Sequence, residues 1–177
     1  MESARNVVLV GPMGAGKSTV ARELASLLGW PWVDLDQVIE AEARATIPAL
    51  FAREGETGFR DREQACLAAV LAGRQPVVLA LGGGTVLRAG NRDLLKTRTT
   101  AVWLHAPLAT CLERAAPARR PLLAAASGAA AAQLFRERRD RYAAVSELVV
   151  GCVAKTPAAI AQRIREELPM RPSPLPG

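Results

Sequence analysis

An α/β fold, with a parallel sheet covered by helices on both faces, is predicted by three features of this sequence. Short apolar runs of strand length recur along the chain, and most are followed by a segment whose apolar residues fall at helical spacing. The 177 residues are 50% hydrophobic but only 4% aromatic, so the core must be built mainly from Leu, Val and Ala, as suits buried parallel strands against Ala-rich helices. The first apolar run also leads straight into a glycine-rich loop and then an amphipathic helix.

The predicted strands are residues 7–10, 32–35, 77–81, 101–104 and 148–150, each an apolar run bounded by turn residues. Helical spacing covers 18–28, 59–71, 108–115, 131–142 and 158–168. Strand followed by helix, repeated, makes the sheet parallel. Residues 117–132 break the rhythm: Arg119, Arg120, Pro121, Ser127 and Gly128 stand among many alanines, and the segment reads either as a long loop or as a lid. Residues 169–177 hold four prolines without periodicity and read as a disordered tail, which leaves 1–168 as one domain.

A net charge of +6 and a pI near 10 suit nucleic acid, but they equally suit an enzyme that handles polyphosphate and an acidic substrate. The basic residues are interleaved with acidic ones and aromatics are too few for a stacking platform, so no nucleic-acid partner is expected. Cys66, Cys111 and Cys152 are odd in number, far apart and never in a C-x-x-C pair, which favours buried thiols over disulfides or zinc. His105, the only histidine, ends an apolar run and reads as a strand-end or surface residue. Only a short apolar run precedes Gly11, unlike a signal peptide, and no segment approaches membrane-spanning length, so the expected location is the cytoplasm.

The chemistry begins at Gly11-Pro12-Met13-Gly14-Ala15-Gly16-Lys17-Ser18, a G-x-x-x-x-G-K-S match in the strand–loop–helix context that its mechanism needs. Such a loop turns successive backbone N–H groups and a helix N-terminus toward phosphate oxygens, with Lys17 reaching the β- and γ-phosphates and the Ser18 hydroxyl ligating magnesium. Asp34 and Asp36 follow as D-x-D. Alternation along a strand would set both carboxylates on one face at its carboxyl end, where ligands sit in open α/β sheets. One can hold the magnesium shell and the other can orient or deprotonate an attacking hydroxyl; the competing reading is a helix cap supplied by Asp36.

Gly82-Gly83-Gly84 ends the 77–81 run and permits close approach of a ligand to the backbone. No acid ends that strand, which makes Asp34 the better metal candidate. In Phe59-Arg60-Asp61-Arg62-Glu63 the spacing sets Arg60 and Glu63 on one helix face, as a carboxylate grip or as a solvated salt bridge at a helix start. Arg114, Arg119, Arg120, Arg136, Arg138, Arg139 and Arg141 supply cations of the kind phosphoryl transfer uses, although Glu137 and Asp140 interleave the later cluster as on an ion-paired exposed face.

Taken together, GPMGAGKST, Asp34-Leu35-Asp36, Phe51-Ala52-Arg53-Glu54-Gly55-Glu56 leading to Phe59-Arg60-x-x-Glu63, Leu81-Gly82-Gly83-Gly84 and Arg120-Pro121-Leu122-Leu123 resemble the shikimate kinase family over about residues 5–168. The resemblance implies a three-layer, nucleoside-monophosphate-kinase-like P-loop kinase fold, with a five-stranded parallel sheet flanked by helices and a mobile lid over about 113–130. It implies transfer of the γ-phosphate of ATP to the 3-hydroxyl of shikimate, giving shikimate 3-phosphate and ADP on the way to chorismate and aromatic amino acids, with Mg2+ as cofactor.

By that resemblance Asp36, Arg60, Gly82, Gly83, Gly84 and Arg138 bind shikimate. Arg60 and Arg138 clamp its carboxylate, and Asp36 holds its hydroxyls and acts as the base. Gly14, Ala15, Gly16, Lys17, Ser18 and Thr19 hold ATP, Ser18 and Asp34 serve the metal, Arg120 reaches the phosphates from the lid, and Arg114 lies against adenine. Lys17 and Arg120 join Asp36 as the catalytic set. The implied partners are ATP and shikimate alone, with no nucleic acid or membrane, and the implied state is a monomer.

The chain departs from the family in three places. Where the family carries R-x-P-L-Y, Arg138-Arg139-Asp140-Arg141-Tyr142 keeps only the arginine and the tyrosine, with Arg139 as an alternative to Arg138. The Arg114–Arg120 spacing is about a residue short, and the alanine-rich run after Leu123 is unusual. Gluconate and adenylylsulfate kinases share the ATP half of this pattern but not the Phe59-Arg60-x-x-Glu63 and triple-glycine half. A regulatory module without catalysis would have no need of Lys17, Ser18, Asp34, Asp36 and Arg120 together.

Overall fold

The computed structural model describes residues 5–114 and 128–168. Its strands are β1 (Asn6–Val10), β2 (Trp32–Asp34), β3 (Val78–Ala80), β4 (Thr99–His105) and β5 (Leu148–Gly151). They pair in parallel in the order β2-β3-β1-β4-β5, the parallel five-stranded sheet that the sequence implies. Among the described residues the helices are α1 (Lys17–Leu28), α2 (Leu35–Ala43), α3 (Ile47–Leu71), α4 (Ala89–Arg98), α5 (Leu108–Arg114), α6 (Gly128–Val145) and α7 (Pro157–Glu167). A 3-10 turn spans Thr85–Leu87.

Side chains alternate across the sheet, so β1 feeds two cores. Val7 and Leu9 pack with Leu24 and Ala25 of α1, Val102 and Leu104 of β4, and Ile160 and Ile164 of α7. Val8 and Val10 face the other layer, with Phe59 and Leu67 of α3, Leu95 of α4, and Tyr142 and Val145 of α6. Each fully buried leucine there contributes about 2 kcal/mol by leaving water.

Three local expectations are corrected. Leu35 does not extend β2; Asp34 is the N-cap of α2, its carboxylate accepting from the Asp36 backbone N–H at 3.0 Å, so the chain turns into a helix where a fourth strand residue was expected. The helix expected from Phe59 begins at Ile47, with Thr46 as N-cap and Pro48 in its first turn. It is bent within at Gly55, whose φ of 70° and ψ of −178° lie in a region open essentially to glycine, and that interruption hides one helical period from the next. Helix α4 was missed because Leu94 and Leu95 are its only large apolar anchors.

The segment read as loop or lid enters α6 from Gly128 onward, and Glu113 and Arg114 end α5. Arg119, Arg120 and the 169–177 tail lie outside the described residues. Cys66, Cys111 and Cys152 are free and buried, and His105 is the exposed last residue of β4, both as expected. No helix among the described residues is long and apolar enough to cross a membrane.

Candidate active site

The topology explains why three motifs far apart in sequence meet. β2, β3 and β1 are neighbours, with Asp34 opposite Ala80 and Ala80 opposite Leu9. The segments leaving these strands, Asp36, Gly82 and the Gly11–Ser18 loop, therefore depart from one edge of the sheet. Between them opens a cleft of about 760 Å³ lined by Lys17, Ser18, Asp34, Asp36, Gly82 and Gly83, with Gly14, Gly16, Thr19 and Arg114 on its rim.

The phosphate loop is held open by its own backbone. Gly11, Gly14 and Gly16 all have positive φ, Gly16 caps α1, and Ala15 is buried behind the loop. Lys17, only 8% exposed, donates from Nζ to the carbonyl oxygens of Gly11 at 2.9 Å and Pro12 at 2.7 Å. The ammonium is thereby stationed inside the curve where phosphate would lie. Ser18 Oγ donates to Asp34 Oδ2 at 2.5 Å, joining the start of α1 to the end of β2. A hydroxyl and a carboxylate at the mouth of a phosphate loop are hard oxygen donors of the kind magnesium takes alongside substrate phosphates. Among the described residues, no group of three or more His, Cys, Asp and Glu forms a closed metal cage.

Across the cleft, Asp36 sits in the first turn of α2, half-buried; a Cβ on Gly82 would lie 2.8 Å from its Oδ1. The D-x-D pair thus converges through a strand-to-helix turn, with Asp34 rather than Asp36 as the cap, instead of through strand alternation. Arg60 and Glu63 share a face of α3 as expected, but they are no solvated pair. Arg60 is 8% and Glu63 1% exposed, and Arg60 Nη1 donates to Glu63 Oε2 at 2.7 Å. Thr85 Oγ1 donates to the other carboxylate oxygen, also at 2.7 Å. The Arg60 guanidinium passes so close to the glycine turn that a Cβ on Gly84 would meet its Nη2 at 2.3 Å.

From the opposite wall α6 brings Arg138, whose Nη1 would be 3.5 Å from a Cβ on Gly83, whereas Arg139 is exposed. Arg60 and Arg138 thus approach the glycine turn from two helices; among the described residues the Nε of each is buried without a hydrogen bond, and Arg60 Nε lies 3.7 Å from Glu56 Oε1 in an ion pair. A buried donor such as Arg138 Nε calls for an acceptor. Arg114, at the end of α5, is exposed and lines the same cleft.

Two contributions were not legible locally. Thr85 reaches Glu63 across 22 residues of sequence, and Tyr142 donates to the Gly83 carbonyl across 59. A hydroxyl next to a triple glycine and a lone tyrosine are weak signals without the packing that joins them.

Residues 13–169 match the family model described as Shikimate kinase. The chain belongs to the shikimate kinase family. It is 46% identical over 169 residues to the shikimate kinase of Halorhodospira halophila, covering 94% of this chain and 95% of that relative. Against the shikimate kinase of Pseudomonas putida it is 44% identical over 170 residues, 95% of this chain and 98% of the other. The fold matches the solved shikimate kinase from Acinetobacter baumannii in complex with shikimate with a TM-score of 0.88, at 39% identity and over 93% of each chain. Membership makes the chain an ATP-dependent phosphotransferase, as the motifs had implied.

Proposed function

We propose that this shikimate kinase carries out transfer of the γ-phosphoryl group of ATP to the 3-hydroxyl of shikimate in the cleft between the Gly11–Ser18 loop and the Gly82–Gly84 turn. The observation that carries the reading is the apposition, along one sheet edge, of a phosphate loop with a half-buried carboxylate and two arginines that converge on the Gly83–Gly84 turn. The loop N–H groups and Lys17 hold the phosphates, Thr19 and the backbone of Gly14 to Gly16 line that half, and Arg114 lies on the adenine side. Arg120, which lies outside the described residues, is the further cation that the family resemblance assigns to the phosphates. Arg60 and Arg138 grip the substrate carboxylate, and Gly82, Gly83 and Gly84 let the ring approach the backbone.

Asp36 accepts the proton of the 3-hydroxyl as that oxygen bonds to the γ-phosphorus. The bond to the β–γ bridging oxygen breaks and its electron pair leaves with ADP, while Lys17 offsets charge on the transferring group. Ser18 and Asp34 would hold Mg2+, which when bound supplies charge neutralisation at the phosphates. In this reading residues 1–168 act as one domain and as a monomer, in the cytoplasm.

The test is ADP release by the purified protein with ATP and magnesium, with shikimate and with gluconate as the control acceptor. Shikimate-dependent release supports the reading. ATP binding with no transfer to either acceptor would leave a regulatory module, and transfer to gluconate would reassign the acceptor.

A further inference from the structure

Tyr142 lies on α6 one turn beyond Arg138, so the two side chains share a helix face. Its ring is 2% exposed and packs 6.0 Å, centroid to centroid, from Trp103 of β4. Its hydroxyl donates to the Gly83 carbonyl oxygen at 2.6 Å. A Cβ on Gly83 would stand 3.4 Å from that hydroxyl and 3.5 Å from Arg138 Nη1, so a single residue of the glycine turn receives both side chains. Burial pushes the phenol up to about 12, against the opposing pull of the Arg138 guanidinium, and it remains a neutral donor through the working pH range.

We infer that Tyr142 is a positioning residue: its hydrogen bond to Gly83 locks α6 against the glycine turn and thereby aims Arg138 at the substrate carboxylate. Arg138 stands on the first helix after the 115–127 segment, and Tyr142 is a fixed anchor of that helix on the sheet side. The conformation of Arg138 then depends on a bond made four residues further on, in a stretch where Asp140 and Arg141 replace the Pro and Leu that the family motif carries. This inference rests on the reading that Arg138 grips the acceptor.

The experiment is steady-state kinetics on the full chain for Tyr142→Phe, Arg138→Ala and the double variant. Losing one buried hydrogen bond predicts a rise in KM for shikimate of up to about tenfold in Tyr142→Phe. KM for ATP and kcat should stay within about twofold, a split that general loosening of the fold would not give. The double variant should be no worse for shikimate than Arg138→Ala alone, because Tyr142 acts through Arg138.

An unchanged KM in Tyr142→Phe, or a full multiplicative penalty in the double variant, overturns the inference while leaving the proposed function intact. If Arg138→Ala itself leaves KM for shikimate unchanged, the assignment of Arg138 fails first and the inference fails with it. Tyr142 is the chain's one tyrosine, so 3-fluorotyrosine labelling gives a single fluorine resonance without removing the hydroxyl. That resonance should move on adding shikimate and stay in place in Arg138→Ala; a resonance that saturating shikimate does not move overturns the inference even where Tyr142→Phe fails to fold.

Discussion

Arg60 Nη1 and Glu63 Oε2 stand 2.7 Å apart on one face of α3, with side chains 10% and 1% exposed. Deleting one member of such a pair strands the other charge, at a cost of about 3–5 kcal/mol. Glu63→Ala should therefore lose stability of that order in urea unfolding, and it should also raise KM for shikimate because Arg60 loses its brace. Glu63→Gln, which keeps an acceptor for Thr85, should lose less. Equal stabilities for the parent and Glu63→Ala would remove the brace from the account.

Gly84 has an ordinary right-handed backbone, with φ of −97° and ψ of −6°, so an alanine there tests space alone. The added methyl would sit 2.3 Å from Arg60 Nη2, and Glu63 restrains the guanidinium from retreating. Gly84→Ala should destabilise by about 1–3 kcal/mol and weaken shikimate binding measured by calorimetry, with ATP binding preserved. Undiminished shikimate affinity would show that Arg60 can yield without loss.

The proposed role of Asp36 as base predicts that Asp36→Asn lowers kcat by about 10²–10⁴-fold with nucleotide binding retained. Single-turnover phosphate transfer is the appropriate readout. A kcat within the parent's range would leave Asp36 only a hydroxyl-binding role.

Glu54 precedes the Gly55 bend and accepts from Arg62 at 3.0 Å and from Arg53 at 2.5 Å, while Arg62 reaches on to Glu42 of α2. Hydrogen bonds from Arg62 and then Arg53 hold the Glu54 carboxyl below its ordinary range. The folded protein therefore binds this proton less readily than the unfolded chain does. Its stabilising contribution is present above the unfolded carboxylate pKa and is lost as pH falls through the depressed folded value. Glu54→Gln should accordingly show a shallower acid-side fall in thermal midpoint than the parent; parallel curves would assign the acid sensitivity elsewhere.

Burial pushes the thiols of Cys66 and Cys152 up to about 11 and raises Cys111 as well. A thiol reacts as thiolate, so all three should be slow toward a disulfide reagent at neutral pH and should react together once the chain unfolds. Fast labelling of one thiol in the folded protein would place it in a solvent path.

The Gly11–Ser18 loop was legible because it is local: its residues are contiguous, and the strand before them and the helix after them read from periodicity alone. Arg60 and Glu63 were legible as a shared helix face for the same reason. Their burial was not, because it depends on α3 lying under a glycine turn that comes later in the chain. The D-x-D reading expected strand alternation where the chain turns into a helix, since one capping hydrogen bond at Asp34 decides between strand and helix.

Local sequence specifies the parts: a phosphate loop, paired carboxylates, a glycine turn and spare arginines on alternating strands and helices, each set by neighbours within one turn or one strand. Packing in three dimensions settles which arginines reach Gly83 and Gly84, that Glu63 and Thr85 brace one of them, and that Tyr142 ties the helix carrying the other to the glycine turn. Those choices depend on strand order β2-β3-β1 and on hydrogen bonds spanning 22 and 59 residues. Contacts at that separation leave no periodic trace in sequence, because they form only when packing of the two apolar layers brings their elements together.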